Sequence, residues 1–444
     1  MISEPFVSFA DHAMYLAHSV GNQQAVMQLL WRYHRPVDLD ALTRFRHHLE
    51  HSQLARLLQP ALLPIGRPRW VRSPETFSAL TIPTKAMPVD TMQAWADAQI
   101  ELPMDPVQGP GWTFTVQPFR DGSTVVSLVI SHCIADGMAT AISVKEAARG
   151  QRRPPAYSHK SAYHPLVSMT HELLRLFKDI PATLGALGQL MRTARNIKTA
   201  PTALPVATTG RDQAITFPSV FVRIPTSVWD EKAASLGVTR FTLLAAMTAA
   251  FAVALGRIRD HHATLFIPVN QRDKQVDSDA NCVSLATLKV PVDELTENLH
   301  EFQRRLQATV QQTRTTPDAL AALLPLVPFV PNRAFVAASQ LAFRALADLP
   351  VTCSHMGEIP IDVLRIDGAA ADLFCFRGMD RQVTARSIED RQGVASLATG
   401  TIPGYILLNF IAYQPGWVTN SDQLRALVEE LLTSYNFKGE FFDA

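Results

Sequence analysis

The 444-residue chain is 47% hydrophobic and 18% charged, with a formal net charge of +1. That composition argues against a disordered chain, and the length suits two lobes better than one core. The near-neutral balance gives no global basic field for nucleic acid, and four dispersed cysteines (Cys133, Cys282, Cys353, Cys375) without a CxxC pair argue against a disulfide scaffold or a zinc site. Residues 38–50 place Leu39, Leu42, Phe45 and Leu49 on one helical face, with Asp38 as the cap. Residues 111–119 alternate Trp112, Phe114 and Val116, which predicts a strand, and Asp121-Gly122 predicts a turn. TVVSLVIS (124–131) is β-branched and apolar, so it predicts a strand buried on both faces. The turn HCIADG follows, and then an alanine-rich helix over 138–148.

Residues 151–165 read as a loop, and 166–197 as an amphipathic helix interrupted by Pro181. Residues 199–213 are polar, proline-bearing and aperiodic, which predicts a crossover linker between an N-terminal lobe (1–198) and a C-terminal lobe (214–444). The second half opens with a strand at 221–225. A long apolar helix follows, capped by Thr239. Strands are predicted at 264–273 and 281–291, then an amphipathic helix over 295–313. A buried strand at 405–416 precedes a closing helix with Ser421 at its cap. Strands and helices alternate in both halves, so the predicted fold class is α/β in two lobes.

The start of the chain lacks a basic region followed by an apolar one, so no signal peptide is expected. The longest apolar stretch, Phe241 to Gly256, falls short of the roughly 20 residues of a spanning helix and reads as a core helix. The expectation is a cytoplasmic protein. The apolar residues of 166–197 accompany Arg175, Lys178, Arg192, Arg195 and Lys198, a pattern that also suits peripheral contact with a membrane, although packing against its own protein is the favoured reading.

The strongest chemical signal is SHCIADG, with His132, Asp136 and Gly137 between a buried strand and a helix. Strand ends hold loops rigidly over a crevice, and a neutral imidazole accepts a proton near physiological pH. An isolated H-x-x-x-D-G also occurs as a plain strand–helix turn. Here it stands in an ordered set with SFADHAMYLAH (8–18), PMDPVQGPGWTFTVQPFRDGSTVVSLVISHCIADG (103–137), VTRFTLLAAMTAAFAVAL (238–255), FIPVNQRD (266–273), CSHMGEIP (353–360) and NFIAYQPG with NSDQL (409–424). With that set the chain resembles the HxxxDG superfamily of CoA-dependent acyltransferases and condensation domains. The resemblance is closest to wax ester synthase/diacylglycerol acyltransferase-like and polyketide-associated acyltransferases.

The resemblance implies two chloramphenicol-acetyltransferase-like lobes with an active-site tunnel between them. It implies no bound cofactor or metal, only a co-substrate: acyl-CoA or a phosphopantetheine-linked acyl donor, with an acyl carrier protein as a partner. The expected reaction carries the acyl group to the hydroxyl of a lipid, glycolipid or polyketide, with His132 as general base. The alternatives are an amide-forming stand-alone condensation enzyme and a non-catalytic member that binds acyl carriers or lipids. Asp136 is expected to support the turn and pair with Arg272 of the other lobe. Gly137 is expected to serve close backbone approach or a positive φ. Backbone N–H groups near Gly137, with Ser354 and Asn409, are the candidates for holding the oxyanion.

The sequence departs from the pattern in three places. Ser131 precedes His132 where condensation domains usually have a second histidine, which argues against peptide formation. No DFGWG follows near the C-terminus, and His355 in CSHMG stands where an asparagine is common. His47-His48-Leu49-Glu50-His51 spells H-x-x-E-H, but a polar helix face is the stronger reading than a zinc site.

Overall fold

The computed structural model describes residues 6–20, 24–73, 80, 83–158, 165–196, 212, 214–272, 280–297, 299–316, 321–331, 334–335 and 349–442. The linker expected at 199–213 lies outside these residues apart from Asp212, as does Lys198. The first half contains α1 (Phe9–Ser19), β1 (Gln24–Tyr33), α2 (Leu39–Leu49), β2 (Arg56–Gln59), β3 (Arg69–Arg72), α3 (Met92–Ile100), β4 (Trp112–Pro118), β5 (Thr124–Ser131), α4 (Gly137–Ala148) and α5 (Pro165–Asn196). The second half runs β6 (Ala214–Ile215), β7 (Ser219–Pro225), α6 (Thr226–Ser235), α7 (Arg240–Ala254), β8 (Ile258–Arg259), β9 (His262–Asn270), β10 (Val283–Pro291), α8 (Glu294–Glu297) and α9 (Leu299–Thr315). It continues with β11 (Val351–Glu358), β12 (Leu373–Arg381), β13 (Val383–Thr384), α10 (Ala385–Glu389), β14 (Val394–Ile402), β15 (Tyr405–Tyr413), α11 (Ser421–Ser434) and β16 (Glu440–Phe441).

Two large sheets organise the molecule. One has the order β12-β1-β5-β4, and the other β10-β9-β11-β14-β15-β7-β16 with β8 paired to β9. Strand β12 comes from the second half of the chain yet pairs antiparallel with β1 along Gln24–Arg381 to Arg32–Leu373. The first sheet is thus completed across the lobe boundary.

Strand β5 is buried along its whole length, as its unbroken run of apolar and β-branched residues requires. Helix α7 is rich in alanine, which lets it lie deep against β9 and β11. Leu243, Leu244, Met247, Phe251 and their small neighbours are almost wholly buried there. Each such aliphatic or aromatic side chain contributes roughly 1.5–3 kcal/mol of burial.

Three local expectations are corrected. Pro181 does not interrupt α5; it sits inside one continuous helix. Pro181 and Phe177, whose carbonyl it leaves without an N–H partner, are both exposed. Helix α11 is capped by Asn420, whose side chain accepts from the Gln423 N–H at 2.9 Å, and not by Ser421. Finally, α5 packs on its own protein only in part: Ala186 is buried and the helix meets the segment Ala321–Phe329, but Leu173, Leu174, Phe177 and Leu184 are all exposed.

Candidate active site between the lobes

His132 is the first residue beyond β5, and the chain around it is held from several directions. Its N–H donates to Ala25 on β1 at 2.9 Å. Its carbonyl accepts from Asn281 Nδ2 at 2.9 Å. The Ser131 N–H bonds Gly111, Ile134 N–H returns to Ser131, and the Ile134 carbonyl accepts from the buried Arg56 Nε at 2.7 Å. The backbone of the turn is therefore fixed while the imidazole is not. The ring is half-buried, Nδ1 is buried without a hydrogen-bond partner, and Nε2 bonds nothing among the described residues.

Asp136 caps α4, its Oδ1 accepting from the Ala139 N–H at 2.8 Å. Its Oδ2 accepts from Arg272 Nη2 at 2.8 Å and from the Cys282 N–H at 2.9 Å. Arg272 Nη2 also reaches the Ala280 carbonyl, which in turn accepts the Asp136 N–H. With both carboxylate oxygens engaged and the residue 2% exposed, Asp136 holds the turn and leaves nothing to offer a substrate.

A second carboxylate, not singled out in the sequence, does the same work from α1. Asp11 is fully buried and accepts from the Ala280 and Asn281 N–H groups and from Asn281 Nδ2. Asn281 Nδ2 thus bridges Asp11 and the His132 carbonyl. The three residues 280–282 form a clasp from the second half, gripped by one aspartate on each side of the histidine. The only sequence signal for Asp11 is its place in the opening SFADHAMYLAH segment.

Gly137 has no positive φ. The reason for glycine is a close approach: a Cβ there would lie 2.7 Å from Met356 Sδ. Met356 belongs to β11, so this contact brings the CSHMG strand against the motif turn. Strand alternation separates the neighbours. Ser354 pairs with Ala398, and Ala398 with Asn409, so these three stand in one row across β11, β14 and β15 on the face toward the first lobe. Asn409 is 3% exposed, and its Nδ2 donates to the Phe376 carbonyl of β12 at 2.9 Å, tying the two sheets together. Its Oδ1 is buried and unpartnered. Ser354 is half-buried. His355 points the other way, toward α7, with Nδ1 2.8 Å from Thr399 Oγ1 and its ring 5.7 Å from that of Phe241. Its ring is accessible to solvent although protein surrounds it, and burial lowers its pKa.

The neighbour of His132 that sequence reading missed is Asp380. On the first sheet Asp380 pairs with Ala25, the residue whose carbonyl holds the His132 backbone. Its carboxyl lies 3.4 Å from Arg391. Burial pushes its pKa up, while the nearby Arg391 and His132 pull it down. Two residues back, Gly378 is exposed, and a Cβ built on it meets nothing within 4 Å, so the strand leaves open space there. No spacing rule links positions 132 and 380; only pairing of β12 with β1 does.

Other chemistries find no support. Cys133 is buried, and desolvation pushes its thiol to about 12, so it supplies no thiolate beside His132. His47 and His51 meet edge to face with ring centroids 4.6 Å apart, and His51 Nδ1 is taken by the His47 carbonyl. Among the described residues no group of three or more His, Cys, Asp or Glu side chains is placed to hold a metal ion. A cavity of about 280 Å³ lies elsewhere, between the start of α7 and α9, lined by Phe241, Thr242, Leu306 and Arg314. It adjoins His355 through Phe241 and is not lined by His132.

No family model matches the sequence, and no curated protein matches it either. Solved structures do match over nearly the whole chain. The first condensation domain of the CDA synthetase matches with a TM-score of 0.56 at 17% identity, covering 97% of this chain and 95% of its own. The starter condensation domain of rhizomide synthetase, in a variant complexed with C8-CoA, matches with 0.54 at 13% identity, covering 97% and 93%. Polyketide synthase associated protein 5 from Mycobacterium tuberculosis matches with 0.52 at 12% identity, covering 97% and 98%.

The fold is therefore the two-lobe, chloramphenicol-acetyltransferase-like architecture of condensation domains. A narrower placement among wax ester synthase-like enzymes does not follow. The hydroxyl acceptor expected from the sequence is corrected by the same set, in which structures of nonribosomal peptide synthetases and their condensation domains predominate. The objection drawn from Ser131 also loses force. Ser131 is 2% exposed and its Oγ accepts from the Cys133 N–H, so it shapes the turn.

Proposed function

We propose that the protein is a condensation-type enzyme that transfers an acyl group from a thioester to an amine, forming an amide, with His132 as general base. The observation that carries this reading is the contrast at the motif: a backbone bonded on all sides around an imidazole whose Nε2 has no partner among the described residues. A thioester is already activated, so the enzyme needs no covalent nucleophile; it needs to align two substrates and move one proton. Nε2 takes the proton from the attacking amine as its nitrogen forms the C–N bond at the thioester carbon. The tetrahedral intermediate then collapses, the C–S bond breaks, and the thiolate leaves with the proton returned by the imidazolium.

Ser354 and backbone N–H groups at the start of α4 are the candidates for the developing oxyanion. Asn409 is a weaker one, because its Nδ2 already serves the Phe376 carbonyl. Acyl-CoA and a phosphopantetheine-bound acyl chain are the two donor forms that suit this chemistry. The choice of an amine over a hydroxyl rests on the peptide-synthetase condensation domains among the matched structures.

The test is a panel of acyl-CoA and carrier-bound thioesters with amine and alcohol acceptors, read by mass spectrometry and thiol release. An amide product is expected. His132→Ala should lower turnover by about 10²–10⁴-fold with an unchanged circular dichroism spectrum. An ester product would sink the amine reading, and full turnover in His132→Ala would sink the role of the histidine.

A further inference from the structure

Helix α5 is amphipathic in the reverse sense for a surface helix. Its acidic residues face the protein and most of its large apolar residues face outward. Ser168, Glu172 and Asp179 are 2%, 1% and 6% exposed. Glu172 pairs with Arg69 at 2.7 Å and accepts from the Leu62 and Leu63 N–H groups, while Asp179 pairs with Arg67 at 3.0 Å. Leu166, Met169, Leu173, Phe177, Ile180, Leu184, Leu187 and Met191 recur at three- and four-residue steps along the opposite side, and all are exposed, Phe177 at 69%. Eight large apolar side chains in one exposed line are far beyond the scattered leucines of an ordinary surface.

Two features say what covers this face. The first is breadth. Val167 and Leu174 widen the stripe on one flank, and Leu62 and Ile65 of the 60–66 loop, bonded to the helix through Glu172, stand exposed beside it. The face is thus wider than the two-residue seam of a coiled coil. The second is charge. The two carboxylates of α5 are the inward-turned Glu172 and Asp179, so the exposed ionisable side chains described on this helix are His171, Lys178 and Arg192. A second copy laid along the helix would set like charge beside like charge, whereas an anionic lipid surface complements it. Among the described residues no single helix is long and apolar enough to cross a membrane, so a membrane contact made by α5 would run along the surface.

We propose that the outer face of α5, with the adjoining 60–66 loop, is a docking surface for an anionic lipid bilayer. The apolar stripe enters the boundary between headgroups and acyl chains, and the cationic flank meets lipid phosphates. This inference is independent of the reaction assigned to His132.

The test is flotation of the purified full chain with vesicles of phosphatidylcholine alone and of phosphatidylcholine mixed with phosphatidylglycerol. The protein should float with the mixed vesicles and less with the neutral ones. The double variant Phe177→Glu, Leu184→Glu changes only exposed positions. It should lose at least about tenfold in binding while its circular dichroism and melting temperature stay unchanged. Three results would overturn the proposal: no flotation of the parent protein, equal flotation with both vesicle types, or equal flotation of parent and variant. A parent that stays in solution as a dimer, converted to monomer by the double variant, would assign the face to a second copy instead.

Discussion

The turn at His132 and helix α5 both rest on buried arginine–carboxylate pairs, and they use them for opposite ends. Around His132 the pair Asp136–Arg272 joins residues 136 positions apart and closes one half of the chain on the other. Along α5 the pairs Glu172–Arg69 and Asp179–Arg67 stay within the first half and turn the polar side of a helix inward. In both places Asp136, Glu172 and Asp179 are each matched by an arginine, and Asp11 by N–H donors, as low dielectric demands. The difference lies in what remains unmatched. At the turn it is one imidazole; on α5 it is a whole apolar face. A buried ion pair therefore does not mark a catalytic centre by itself; what it holds in place does.

This comparison can be broken most sharply by removing one carboxylate from each region. Asp136→Ala leaves Arg272 buried without its partner and removes the α4 cap. A loss of about 3–5 kcal/mol in denaturant unfolding is expected, together with loss of turnover. Glu172→Ala should cost a similar amount, about 3–5 kcal/mol, through Arg69 and the 60–66 loop. Turnover per folded molecule should stay, since nothing in that network touches the His132 turn. A variant pair that lost turnover equally would erase the distinction.

Acid sensitivity sharpens it further. His12, beside Asp11 on α1, is buried, and desolvation with the nearby Arg67 lowers its pKa from 6.5 to about 4. Between those values the unfolded chain binds the proton and the folded chain does not. Stability is therefore full above pH 6.5 and falls as pH drops toward 4, by roughly 3 kcal/mol in total. His12→Gln should flatten that limb in urea titrations at stepped pH. The smallest effect is expected at Asp380, whose carboxyl is raised by burial. Here the folded state holds its proton longer than the unfolded one, so this group makes stability decline as pH rises above the ordinary carboxylate range. Asp380→Asn should remove that decline; a steeper one would contradict the sign.

Much of the local structure was legible before any coordinates. The Asp38 cap, the alternation of Trp112, Phe114 and Val116, the doubly buried 124–131 strand and the Thr239-capped apolar helix all follow from periodicity and capping chemistry, and the structure has them. SHCIADG and VNQRD were visible as motifs, and the 2.8 Å contact between Asp136 and Arg272 is what the structure adds. Asp11, Asn281 and Asp380 were not singled out. Each reaches the His132 turn only because strands or loops far apart in sequence pair there, and no local pattern records that.

The sequence by itself determined many of the elements, though not β1, β12 or β14, and the α/β class, because turn chemistry and hydrophobic period act over a few residues at a time. Only the tertiary structure decided that β12 crosses into the first sheet, that Gly137 is small for the sake of Met356, and that the apolar side of α5 faces out. The physical reason is that each depends on a partner far away in sequence. Amphipathic spacing shows that a helix has two faces, but which face of α5 is buried depends on where Arg67 and Arg69 come to rest.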